Sequence, residues 1–253
     1  MSLRGMRRLS SYGLAGSVFL AAYAGVFACS STQTTYVDEP EDEQPGVKDA
    51  GFDTKPSGDT GLGILTFMPE KSYSGFDGTH AFVVPVAVYD SGDDLQVTAD
   101  DPSAVEIVPK KLTNPVRPDG TTDNGKYFFV TVKKAGTITL TATSGGKTAE
   151  SSITVAEYTT DRWAAGEARY KNGSGGEPAC TECHVNGQAI DHSPAALATA
   201  TDEKIAVVIT TGISTSGFPI KIDNEPGHRW TVTDEELDGL VTYLRSLEPR
   251  GFK

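Results

Sequence analysis

The chain has 253 residues, of which 38% are hydrophobic and 22% charged, with a formal net charge of -12. That is enough apolar material for one or two folded domains, and so acidic a chain argues against nucleic acid as a partner because it repels phosphate backbones. Its 27 glycines and 14 prolines point to loop-rich β structure and linkers rather than a helical bundle.

Residues 1–28 read as an export signal. Arg4, Arg7 and Arg8 form a basic start, followed by an apolar run from Tyr12 to Phe27 that only Ser17 clearly interrupts. The run is Gly- and Ala-rich and short of the ~20 residues a membrane span needs. Val26-Phe27-Ala28-Cys29 resembles a bacterial lipobox, although Phe27 is bulkier than the residue usual there. The resemblance implies cleavage before Cys29 and acylation of that cysteine as a lipid anchor. With Ser30 rather than Asp next, it further implies sorting to the outer membrane, facing the periplasm or the cell surface. The alternative is a secreted protein cut nearby, with Cys29 incidental. Residues 29–62 carry eight acids and few aromatics, the composition of an acidic disordered tether.

From residue 63 to 156 the pattern changes to short β runs separated by turns. His80–Tyr89 is rich in valine, Lys126–Val132 reads as a strong strand, and Thr137–Thr143 alternates apolar with hydroxyl residues. Ser144-Gly145-Gly146-Lys147 is a hairpin turn. About seven strands are expected. Val97-Thr98-Ala99-Asp100-Asp101-Pro102-Ser103-Ala104-Val105, with Ala135-Gly136-Thr137-Ile138-Thr139-Leu140-Thr141-Ala142, resembles the bacterial immunoglobulin-like domain of group 2. That resemblance implies an all-β sandwich serving as a spacer or adhesion module.

The chemistry lies in residues 157–253. Ala179-Cys180-Thr181-Glu182-Cys183-His184 contains Cys-x-x-Cys-His, the attachment signature of one covalent haem c. Two thiols one turn apart can each add to a vinyl group of the same porphyrin, leaving the adjacent His184 as an axial ligand of the iron. A thioredoxin-like reading lacks its βαβ context, and a zinc reading lacks a second ligand pair. Helices are expected at about 160–172, about 202–211 and from Thr233, where Glu236 completes a capping box. The motif, Gly166 with Tyr170, and Val241-Thr242-Tyr243-Leu244-Arg245-Ser246-Leu247 resemble the class I cytochrome c family. The resemblance implies a small all-α domain whose first and last helices cross at a small residue against an aromatic. It also makes Pro194 a candidate to accept a hydrogen bond from the proximal histidine.

The sequence departs from that family at the distal ligand, because no methionine follows Cys180. His228, five residues before Thr233, stands about where the methionine is usual and is the expected sixth ligand, with His192 as its rival. Arg229 and Trp230 would then adjoin the haem, Arg229 pairing with a propionate and Trp230 packing on its edge.

The whole chain thus reads as multidomain: signal peptide 1–28, tether 29–62, immunoglobulin-like sandwich 63–156 and cytochrome c domain 157–253. The leading expectation is a lipid-anchored electron carrier, not an enzyme, that exchanges single electrons with basic redox proteins. An open-site haem protein that binds gases or acts as a peroxidase is one alternative. An adhesion or structural surface lipoprotein is another.

Overall fold

The computed structural model describes residues 63–185, 192–222 and 225–253. The expected signal peptide, the lipidation site Cys29 and the acidic tether lie outside the described residues.

Eight strands build the first part: β1 (Thr66–Met68), β2 (Lys71–Phe76), β3 (Phe82–Tyr89), β4 (Gln96–Ala99), β5 (Val105–Lys110), β6 (Lys126–Val132), β7 (Gly136–Ser144) and β8 (Lys147–Glu157). They form two four-stranded sheets, ordered β1-β3-β6-β5 and β2-β8-β7-β4. The period-two alternation of the sequence sets the faces. Ile138, Leu140 and Ala142 of β7 and Ile153 and Val155 of β8 point inward to meet Phe82, Val84, Val86, Val88, Val130 and Val132 of the opposite sheet. Gly145 and Gly146, both at positive φ, make the tight turn between β7 and β8, as a two-residue hairpin loop requires. Strand β2 was not anticipated. Its buried residues Ser72, Ser74 and Gly75 carry no apolar alternation, yet it runs parallel to β8. A Cβ on Gly75 would lie 1.9 Å from the Tyr158 ring, so only glycine admits that ring.

The helices follow: α1 (Thr160–Asn172), α2 (Thr181–His184), α3 (Pro194–Leu197), α4 (Asp202–Thr211) and α5 (Asp234–Arg245), with two short strands, β9 (Lys221–Ile222) and β10 (Glu225–Pro226), before the last. The three longer helices coincide with the spans read from the sequence, and the Thr233–Glu236 capping box is formed. Helices α1 and α5 touch backbone to backbone. A Cβ on Gly166 would lie 1.8 Å from the Gly239 carbonyl oxygen.

The expectation of a sandwich followed by a small all-α cytochrome c domain is not met. The described residues are predominantly β, with ten strands against five helices, two of them only four residues long. The C-terminal part contains the β9–β10 ladder and is built into the sheets rather than set beside them. Tyr73 N–H of β2 donates to the Ala198 carbonyl at 2.7 Å, and Ala198 belongs to the sandwich core. The chain end pairs with the segment after β5: Lys253 N–H donates to Lys111 O at 2.9 Å, and Thr113 N–H to Gly251 O at 2.9 Å. The physical reason is that edge strand β2 has free backbone groups and small inward side chains, which only an external cover can satisfy.

Arg245, at the end of α5, fixes this junction. Its buried guanidinium donates to Asp202 Oδ1 from Nε (3.0 Å) and Nη2 (2.9 Å), and to the carbonyls of Leu197 (2.9 Å), Tyr73 (3.3 Å) and Ala200. Tyr158 donates its hydroxyl to the other Asp202 oxygen at 2.7 Å. Burial, with the Asp202 carboxylate beside it, pushes that hydroxyl's pKa up and keeps it a donor. Removing one partner of a buried ionic network costs about 3–5 kcal/mol. Arg245→Ala is expected to lose that much in chemical denaturation, far more than replacement of an exposed arginine such as Arg229.

A second contact joins the two parts. His80 stacks on Trp163 of α1 at 4.1 Å, and its Nδ1 lies 2.6 Å from Asp77 Oδ2. Burial works to raise the Asp77 carboxyl, but hydrogen bonds from the His80 side chain and from the backbone N–H groups of His80 and Thr79 outweigh it and hold the pKa below the ordinary value. The stabilisation is therefore complete above the unfolded pKa near 3.9 and is lost as pH falls through the lower folded value. Asp77→Asn should lower stability at pH 6 and flatten its decline below pH 4, as measured by urea unfolding across that range.

Candidate haem site

The motif forms one helical turn. His184 N–H donates to the Cys180 carbonyl at 3.1 Å, as Cys183 N–H does at 3.3 Å. This places Cys180 and His184 on one face. Glu182 caps the turn by accepting from Ala179 N–H at 3.1 Å. His184 is buried, and Cys180 packs against the second apolar cluster, which includes Tyr170, Leu197, Leu240, Tyr243 and Trp230. Burial pushes the Cys180 thiol up, and the positive charge of Arg169 acts against it. Cys180 is a free thiol.

Three of the four histidines meet here. The His184 and His192 rings stack at 3.6 Å and 23°. His228 stands 6.0 Å from His184 with its plane at 87°, and Trp230 lies 5.7 Å from His228. His192 thus lies against the face of His184, whereas His228 approaches at right angles from the segment before α5. The Nδ1 atoms of His192 and His228 are buried without a hydrogen-bond partner. Burial lowers the His228 pKa. Burial, with the charges of His184, His228 and Arg250, lowers that of His192 to about 3. Both imidazoles are therefore neutral at pH 7, which is the form that binds metals.

No group of three or more His, Cys, Asp or Glu side chains is placed to hold a metal among the described residues. A haem iron asks the protein for two axial ligands at most, because the porphyrin supplies the rest. An imidazole nitrogen sits about 2 Å from a transition metal, so two ring centres flanking one ion stand roughly 6 Å apart. The His184–His228 separation has that value. The other expected residues are more scattered. Pro194 is the buried first residue of α3, Trp230 is half-buried beside His228, and Arg229 is exposed.

Two residues that sequence reasoning missed hold the site together. Arg169 of α1 is buried and donates to Glu177 Oε2 at 2.6 Å. The other carboxylate oxygen of Glu177 accepts from Thr231 N–H at 3.0 Å. One carboxylate thus ties the approach to the Cys motif to the segment that carries His228. The only signal was an arginine beside Tyr170 on an otherwise inward-facing stretch of helix. Gly212, at positive φ, lets α4 stop against the His228 backbone, since a Cβ there would lie 2.3 Å from the His228 carbonyl oxygen.

No protein-family model matches the chain, and no curated protein matches it. Among solved structures it is similar to the crystal structure of the S-layer protein SbsC domains 4 and 5, at 15% identity and a TM-score of 0.26, over 38% of this chain. The chain spans about half of that structure, 52%. It is also similar to the ZirS C-terminal domain, at 12% identity and a TM-score of 0.20, covering 60% of this chain and 97% of that one. Likeness at this level assigns neither fold nor function.

Glu177→Ala leaves the buried Arg169 without its counter-ion and frees the Thr231 N–H. A stability loss of about 3 kcal/mol is expected, and Glu177→Gln, which keeps an acceptor for Thr231, should lose less. Thermal unfolding of the two variants checks this.

Proposed function

We propose that this chain is an exported, lipid-anchored monohaem c-type electron carrier, passing single electrons between protein partners of the periplasm or cell surface. The observation that carries the reading is the approach of His228 to His184 at 6.0 Å, one turn from a half-buried Cys180. The attached haem would supply the one-electron chemistry. Cys180 and Cys183 would hold it by thioethers, and His184 and His228 would ligate its iron. Burial keeps His228 neutral and so able to ligate.

Around them Tyr170, Leu197 and Trp230 make an apolar wall, which limits water and lowers the local dielectric. Trp230 packs beside His228, and Arg229, next in sequence to His228, would pair with a haem propionate. Pro194, at the start of α3, would orient His184 by accepting a hydrogen bond from it. Two imidazoles give a lower reduction potential than an imidazole with a thioether. The acidic surface, at a formal net charge of -12, suits basic redox proteins and makes their encounter sensitive to salt. The lipid on Cys29 would keep the chain at the outer membrane. Nucleic acid is not a partner in this reading.

The test is spectroscopic. The full chain, produced with haem-maturation machinery, is examined by mass spectrometry, visible absorption and near-infrared magnetic circular dichroism. One covalent haem with a low-spin bis-imidazole spectrum is expected. His228→Ala should turn it high-spin, and His192→Ala should leave it low-spin. A wild type that is already high-spin would overturn His228 ligation and shift the reading to an open iron site. A chain matured under these conditions without haem would overturn the proposal.

A further inference from the structure

The histidine cluster does not end at the presumed iron. His192 stacks on His184 at 3.6 Å and lies 5.9 Å from Tyr170. Tyr170 lies 5.2 Å from Tyr243, and Tyr243 lies 5.2 Å from Trp163. Trp163 stacks on His80 at 4.1 Å and 7°. Six rings thus run without a gap from the axial histidine to the junction with the sandwich.

The file is deeply buried along its length, with Tyr170 2% and Tyr243 6% exposed, and it surfaces at its end, where the His80 side chain is 27% exposed. It is also rigid. Its middle lies in the α1–α5 crossing, where Gly166 and Gly239 bring two backbones into contact. The terminal rings are held by polar partners: Trp163 donates Nε1–H to Ser246 Oγ at 2.6 Å, and Asp77 holds His80 at 2.6 Å. Packing a helix on a sandwich does not call for a carboxylate-fixed imidazole stacked flat on an indole, because any apolar side chain would bury as well. Electron tunnelling decays steeply with distance and less steeply through contacting π systems than across gaps.

We infer that this file of rings is the route by which an electron passes between the haem and the His80–Trp163 face. The inference rests on the proposed haem. In the haem-loaded chain the rings would carry one electron to an oxidant at the His80 face, which is reduced by one electron while the iron is oxidised by one. No bond is made or broken, no proton moves, and the rings act as a bridge that is neither oxidised nor reduced overall.

The test uses the full haem-loaded chain with a ruthenium–bipyridine photosensitiser attached to His80, the one histidine of four outside the cluster. Flash oxidation of the label is followed by haem oxidation, read as transient absorbance. Haem content, steady-state spectrum and helicity are recorded first for every variant. Trp163→Leu and Tyr243→Leu are expected to slow the transfer several-fold at an unchanged haem spectrum. Tyr243→Phe, which keeps the ring, should keep the rate. Phe82→Leu, a core aromatic outside the file, should keep it too. Trp163→Leu, at the half-buried end, and Tyr243→Phe preserve the comparison if a buried leucine variant fails to fold. Equal rates across the series, or an equal slowing in Phe82→Leu, would overturn the route while leaving the haem in place. A wild type without haem would overturn the proposed function, and the route with it.

Discussion

The guanidinium of Arg245 is the point on which the two halves of this molecule turn. Five donor contacts, to Asp202, Leu197, Tyr73 and Ala200, satisfy a charge that would otherwise be prohibitive to bury. To collect those acceptors, α5 must end against β2, the α3–α4 connection must wrap the guanidinium, and Tyr158 must reach Asp202. Each requirement fixes an element that the hydrophobic effect alone would leave free to slide. The apolar clusters supply most of the driving force, but they are non-directional. The arginine sets the register in which they meet.

That register determines what the helices can present. With α5 pinned, the Gly166–Gly239 contact sets how closely α1 approaches, and the rings of Trp163, Tyr170 and Tyr243 fall into line. The same arrangement brings α4 and the segment after it over the Cys motif, so that Gly212 abuts the His228 backbone. The proposed ligand pair therefore depends on a salt bridge at the opposite end of the helical part. Glu177 adds a local clamp between the two segments.

The failed expectation of a separate all-α unit has a definite cause. The capping box, the Gly212 stop and the apolar stripe of α5 are local signals, and each helix formed where those signals lay. The same signals carry no information about what a helix packs against. Strand β2 is the missing piece: Ser72, Ser74 and Gly75 show no apolar alternation, so nothing in Lys71–Phe76 announced a strand with an edge to be covered. His80 opens a valine-rich run, and only its stack on Trp163 gives it a place in the junction.

The sequence by itself determined the local chemistry: Cys-x-x-Cys-His as a single helical turn, the absence of any methionine beyond it, and the three longer helices with their caps. These depend on neighbours within a few positions, where spacing is geometry. It also marked the inward faces of β3 and β7, because a strand's period of two forces that choice. Tertiary structure decided the rest. It brought His228 to His184, laid His192 against the same ring, paired Arg169 with Glu177 and buried Arg245 among backbone carbonyls. Each of those contacts joins residues far apart in the chain through acceptors that carry no side-chain signature, and only the folded backbone puts them in place.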